Sequence, residues 1–172
     1  DILFAPDVKE IYPQDFLIDI KIDKLTNNLC GKTRPGHFDG VALIVTKLFN
    51  IIKPTQGFFG EKDFQQLLII KKLVAKNNLE INIIGCPIFR EPNQLAMSSR
   101  NTLLTTKEKQ EASIIYKTLL EAKTNFKTKS VAAITKQIKK AFEKNPDFTL
   151  DYFQIADETT LLPCLRKNKN KK

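Results

Sequence analysis

Between Val41 and Cys86 the spacing of apolar residues changes period three times, and this alternation restricts the fold more than any single residue does. Val41, Ile44, Val45, Leu48 and Ile52 recur at the spacing of an amphipathic helix, with Pro54 just beyond its end. A short apolar run, "QGFF", follows and Gly60 breaks it. Asp63 with Gln66 three residues later then forms the D-x-x-Q pattern of a capped helix start, and Phe64, Leu67, Leu68 and Val74 supply a buried face. "EINIIGC", Glu80 to Cys86, reads as a second strand ended by Pro87. Helix, strand, helix, strand is the order of a parallel sheet with crossover helices, so the fold class expected is α/β.

The flanks add to this frame. Ile2 to Ala5 reads as a short buried strand, and Leu17 to Ile22 alternates with the period of a half-exposed one. The Pro/Gly stretch Thr33 to Gly40 is a loop, with Asp39 placed to cap the next helix. After Pro87 the character shifts to a polar loop and two amphipathic helices. One starts near Thr105 with Thr105 and Glu108 as a capping box; the other runs from Ser130 to Glu143 with Val131, Ile134, Ile138 and Phe142 on one side. A final strand is expected in "LDYFQIAD". The division expected is a sheet-containing domain over 1–88, a smaller α+β lobe over 89–165 and a disordered basic tail over 166–172.

Composition narrows the function classes. The 172 residues carry 28 Lys+Arg against 19 Asp+Glu, a formal charge of +9, but five of those positive charges sit in the tail "RKNKNKK". The rest is dispersed, which weakens a nucleic-acid reading. The three cysteines, Cys30, Cys86 and Cys164, are far apart and lack the paired spacing of a zinc site or a disulfide scaffold, so no metal ligand set is assigned and a reducing cytoplasm is the simplest setting. Lys47 and Lys53 interrupt the longest apolar candidate, so no membrane span is expected.

Two stretches carry candidate chemistry. In "FFGEKDFQQ" a glycine and a helix start follow a strand, which is the physics of an anion site: unpaired N–H groups, a positive dipole end, and the Lys62 charge beside them. Asp63 is a candidate for ribose hydroxyls; Gln66 shares its face while Gln65 is turned away. The alternative is that Asp63 only caps a helix and Lys62 is solvated, and neither a Walker-type loop nor a G-x-G-x-x-G is present to decide between them. In "LAMSSRN" two hydroxyls precede Arg100, which suits phosphate binding from a loop able to close over a ligand, or else an ordinary polar loop. The only histidine, His37, has no recognisable catalytic partner in sequence.

Taken in order, "LFAPDVKEIYP", "RPGHFDGV", "KLFNIIKP", "FFGEKDFQQ" and "LAMSSRN" resemble the pantothenate synthetase family of ATP-dependent pantoate-β-alanine ligases, from Asp1 to about Asp157. The resemblance implies a Rossmann-like nucleotide-binding sheet, similar to that of class I aminoacyl-tRNA synthetases, followed by a lid lobe. It also implies adenylate chemistry: pantoate attacks the α-phosphorus of MgATP, and β-alanine then displaces AMP. On matching positions it implies Gly60 and Asp63 at the ribose, Glu61 within the ATP site and Lys62 at the phosphates. Gln66 and Arg34 fall at pantoate, Met97, Ser98, Ser99 and Arg100 at the triphosphate, and Phe89 at the adenine. Lys62 and Arg100 are the residues expected to act in catalysis. ATP with Mg2+ enters as substrate, with no tightly bound cofactor, no nucleic-acid or membrane partner, and a homodimer as the assembly.

Two departures bear on this. The family's Met and His-x-Gly-His motif is not in the sequence, and "LLPCLRKNKNKK" stands where an apolar final strand belongs. The expectation is therefore a chain lacking the amino-terminal part of such an enzyme and having little ligase activity alone. The rival classes are a basic, non-catalytic nucleic-acid-binding domain and a nucleotidyltransferase of the same fold acting on another acid.

Overall fold

A computed structural model describes residues 2–12 and 24–166, which divide into two compact units, Asp1–Cys86 and Pro87–Lys172. Residues 167–172 of the tail and the expected strand Leu17 to Ile22 lie outside the described residues, Lys24 being described in its backbone alone.

In the first unit, strands β1 (Gln56–Gly60) and β2 (Asn82–Cys86) pair in parallel, with Gln56 opposite Asn82 and Gly60 opposite Cys86. A parallel pair needs a crossover, and the long helix between them supplies it. Following α1 (Val8–Ile11), α2 (Cys30–Thr33) and α3 (His37–Ile52), that crossover is α4 (Phe64–Lys76). Strand alternation turns Phe59 toward the helices, where it meets Phe49 edge-on at 6.3 Å, and leaves Phe58 exposed. Phe49, Ile70 and Val74 form the buried centre, with Val41, Val45, Ile81 and Ile83 packed on it. Gly85 matters here, because a Cβ on it would stand 3.0 Å from Leu67 Cδ2 and 3.3 Å from Glu61 Oε1. Glycine lets the start of α4 close down on the end of β2.

Several local expectations are corrected. Residues 2–5 form no strand, and Ile2 is 98% exposed, because the apolar run finds no ladder partner among the described residues. Helix α3 begins at His37, not after Asp39: Gly36 takes the left-handed conformation (φ 76°) at the cap, and Asp39 falls in the first turn, where its charge complements the helix dipole. Its buried residues are Phe38, Ala42 and Phe49, so the face is rotated and Ile52 is exposed. The helix ends at Lys53, left-handed at φ 49°, before Pro54.

In the second unit, α5 (Thr106–Glu111), α6 (Ser113–Asn125) and α7 (Val131–Glu143) follow a long polar loop. The capping box forms as expected: Glu108 N–H donates to Thr105 Oγ1 at 3.3 Å, and the Thr105 N–H to Glu108 Oε2 at 2.7 Å. Ser130 caps α7, whose Val131, Ile134, Ile138 and Phe142 are all buried. Ala122, Ile114, Phe148, Leu150 and Phe153 pack against that stripe. The expected strand "LDYFQIAD" is not formed. Described residues of this unit make only isolated antiparallel bridges, Arg90 with Ala96 and Ala156 with Pro163, the second flanked by the Asp157 N–H on the Leu162 carbonyl at 3.0 Å and the Cys164 N–H on the Ile155 carbonyl at 2.8 Å. This lobe is helical, not α+β, among the described residues. No helix of the described residues is long and apolar enough to cross a membrane.

Candidate active site

The end of β1 gathers the first set of expected residues. From Gly60 the chain enters a 3₁₀ turn, Glu61–Asp63, that runs directly into α4. Gly60 has ordinary extended torsions (φ −70°, ψ 133°), and a Cβ on it would meet nothing within 4 Å among the described residues. Neither backbone conformation nor packing of the described residues therefore demands a glycine at this point.

The expectation that Asp63 caps α4 is wrong. Its side chain makes no capping bond, because helical geometry already begins two residues earlier in the 3₁₀ turn. Its carboxylate instead lies 3.8 Å from Lys62 Nζ, with both side chains substantially exposed, a pairing of little energetic weight. Lys62 and Asp63 are thus neighbouring charges at the surface. Gln66 is half-buried on the first turn of α4, where Phe64 is 40% exposed, Leu68 is half-buried, and Leu67, Ile70 and Val74 are buried.

Arg34 reaches the same neighbourhood from the other side of the sequence. It closes α2, its carbonyl accepts the His37 N–H at 3.2 Å, and it is exposed. His37 feels both Arg34 and Asp63. Burial holds its pKa below the ordinary 6.5, the Arg34 charge pushes it further down, and the Asp63 charge opposes them.

Because His37 is the only histidine, its ring resonances give an unambiguous titration. The midpoint is expected below that of a histidine peptide, moving up in Arg34→Ala and down in Asp63→Asn. The native chain takes up this proton at lower pH than the unfolded chain does. The stabilisation is complete above about 6.5 and is lost as pH falls through the native midpoint. A midpoint unmoved by either substitution would separate His37 from this cluster.

The second set lies in the second unit, between Phe89 and Asn101. Met97 N–H donates to the Phe89 carbonyl at 2.9 Å, which sets these two exposed side chains on facing segments. Ser98 caps a 3₁₀ turn, Ser99–Leu103, by accepting the Arg100 N–H at 3.3 Å. Ser99 and Arg100 are exposed. What shapes the loop is Asn101, only 9% exposed, whose Nδ2 donates to Glu91 Oε1 and to the Ala96 carbonyl. Asn93 ties the same loop to α5 through Lys109 O at 2.6 Å.

Sequence reasoning misses the holders of both sets. In sequence Asn101 is only the last letter of a motif, and Gln65 is only turned away from the site. Gln65 is in fact buried, at 7% exposure, and hydrogen-bonded at both ends of its amide. The available signal is that each stands beside an expected ligand residue, Gln66 or Arg100, as a second polar group with no charge.

All 172 residues match the family model described as pantoate-beta-alanine ligase. The chain belongs to the pantoate-beta-alanine ligase family. A pantothenate synthetase of Flavobacterium psychrophilum is 55% identical over 99% of the chain, and one of Clostridium botulinum is 46% identical over 95%. The chain spans 61% and 59% of the lengths of these two relatives. Among solved structures, the pantothenate synthetase of Thermus thermophilus superimposes with a TM-score of 0.90 at 37% identity, covering 98% of this chain and 62% of that one. The pantoate-beta-alanine ligase of Francisella tularensis, complexed with beta-gamma ATP and beta-alanine, matches with a TM-score of 0.65 at 38% identity, over 78% of this chain and 50% of that one. The α/β fold with its parallel sheet is therefore that of the ligase family.

Proposed function

We propose that this chain forms part of an enzyme that condenses pantoate with β-alanine, driven by ATP. The observation that carries the reading is the turn after β1: an unrequired glycine, an exposed lysine and an aspartate released from capping, all at the carboxyl end of a parallel strand. Open parallel sheets bind ligands at that edge. Gly60 leaves room for a ribose and Asp63 accepts hydrogen bonds from its hydroxyls, Glu61 borders the nucleotide, and Lys62 meets the phosphates. Gln66 and Arg34 hold pantoate. Met97, Ser98, Ser99 and Arg100 take the triphosphate and Phe89 the adenine.

In the first step the pantoate carboxylate oxygen bonds to the α-phosphorus as the bond to pyrophosphate breaks. The β-alanine amine then attacks the acyl carbon, AMP leaves with the bonding pair, and the amine gives up a proton. Little covalent help is needed from the protein; orientation and positive charge supply the acceleration. Mg2+ accompanies ATP as substrate, and the setting is a cytoplasmic homodimer acting on soluble small molecules.

With MgATP, pantoate and β-alanine, the complete gene product is expected to release AMP and pantothenate one to one, and neither when either acid is omitted. AMP release that needs a different acid, or none, would overturn the reading.

A further inference from the structure

The Gln65 side chain directs both of its donors and its carbonyl at backbone 35 to 40 residues earlier in the chain. Its Nε2 donates to the carbonyls of Leu25 at 2.8 Å and Asn28 at 2.7 Å, and its Oε1 accepts the Cys30 N–H at 3.1 Å. A carboxylate would lose both donors, an apolar side chain all three bonds, and asparagine is one methylene too short. The bonded segment is a 3₁₀ turn, Lys24–Asn27, followed by α2, and it pairs with no strand among the described residues. Backbone groups of such a segment need partners from elsewhere. The segment is otherwise tight, since a Cβ on Gly31 would overlap the Thr26 carbonyl.

From Gln65 the bonds continue in series. Cys30, held at its N–H, accepts the Arg34 N–H at 3.0 Å through its carbonyl, and the Arg34 carbonyl accepts the His37 N–H at 3.2 Å. Lys62, Asp63 and Gln66 flank Gln65 on its own turn. We propose that Gln65 is a positioning residue, a clamp that fixes Arg34 and His37 relative to Lys62, Asp63 and Gln66. The two adjacent glutamines divide the work: Gln66 faces the ligand, and Gln65 sets the distance across which the ligand is held. This rests on the assignment of Arg34 and Gln66 to pantoate.

The test uses the complete gene product carrying Gln65→Glu, with Gln65→Met as the second variant because it removes the same bonds without adding charge. Amide hydrogen exchange at Cys30 is expected to quicken about 10-fold to 100-fold in a folded variant, while the β2 amides Ile83 and Ile84 keep their rates. In the same variant the KM for pantoate is expected to rise about 10-fold with kcat and the KM for ATP little changed. Arg34→Ala is expected to cost less in the Gln65 variant than alone, since both act on one placement.

A purely structural role would lower stability and leave the pantoate KM of folded enzyme alone, and that result overturns the proposal. So does an unchanged Cys30 exchange rate. If neither variant folds, the unsubstituted protein decides the clamp: a Cys30 amide exchanging at the rate of an open loop refutes it, and strong protection supports it. Absence of pantothenate formation by the unsubstituted enzyme would refute the ligase reading instead, leaving the clamp to be judged by exchange.

Discussion

Replacing Lys62 by alanine in the complete gene product is expected to lower kcat/KM for pantothenate formation about 100-fold or more, through kcat, with stability unchanged. The size follows from the role proposed for Lys62 at the phosphates. An ammonium beside the phosphates gains strength as charge shifts onto the leaving pyrophosphate, and a contact stronger in the transition state than in the ground state acts on kcat. A loss of 100-fold corresponds to about 2.7 kcal/mol, within the range for removal of one preorganised charged donor. The fold gives no reason for Lys62 to be missed otherwise. Its side chain is 41% exposed and its ion pair is with the adjacent Asp63 at 3.8 Å. Alanine also suits the turn that feeds α4. Thermal unfolding of the variant should therefore coincide with that of the unsubstituted enzyme. Lys62→Arg keeps the charge on a bulkier, planar group and should recover only part of the rate. A kcat/KM within a few-fold of the original in Lys62→Ala would take Lys62 out of the chemistry and leave the turn as an ordinary solvated surface.

The parts of the fold legible in sequence are those set by one local rule. The change of period between residues 41 and 86 announces the parallel β1 and β2 with α4 across them. Thr105 and Glu108 announce their helix, because both halves of a capping box lie within four residues. Where two local rules compete, the sequence misleads. Asp39 and Asp63 both have the chemistry of a cap. At the first, Gly36 has already begun the helix with a left-handed torsion; at the second, the chain is already turning at Glu61. The strands expected at Ile2 to Ala5 and in "LDYFQIAD" fail for another reason. A strand is a property of two segments, and apolar alternation in one says nothing of whether a partner offers its N–H groups.

The candidate site divides in the same manner. Gly60, Lys62 and Asp63 stand out as candidates because their chemistry lies within four residues, and the roles proposed for them come from the motif order. Gln65 and Asn101 are not visible, since their importance lies in backbone carbonyls and N–H groups, which every residue has and no sequence pattern distinguishes. Such holders emerge only when burial and hydrogen-bond partners are known. Their bonds reach the segments that carry two exposed candidate residues, Gln65 the Cys30 N–H of the α2 that Arg34 closes, and Asn101 the Ala96 carbonyl just before the 3₁₀ turn that holds Arg100.

Truncating Ile138 to alanine is expected to destabilise the second unit by about 3 to 4 kcal/mol, a loss large enough to threaten the folding of a unit this small. Ile138 is 2% exposed and lies midway along the α7 stripe, between Ile134 at 0% and Phe142 at 9%. Ala122 of α6 and the partly buried Ile114, Phe148, Leu150 and Phe153 close around that cluster. Alanine has the higher helix propensity, so the loss comes from packing and from the cavity left behind. The neighbours cannot readily collapse into it: Phe142 and Phe148 already meet edge-on at 6.0 Å, and Ala122 has only a methyl group. Ile138→Val, which removes one methylene, should cost about 1 kcal/mol by the same reasoning. Urea unfolding followed by helical circular dichroism reads both. A graded response, small for valine and several-fold larger for alanine, locates the unit's stability in the α7 stripe. Equal and small losses would mean that the irregular segment over 148–155 moves in to refill the site, and that this segment, rather than α7, is the adjustable wall of the core.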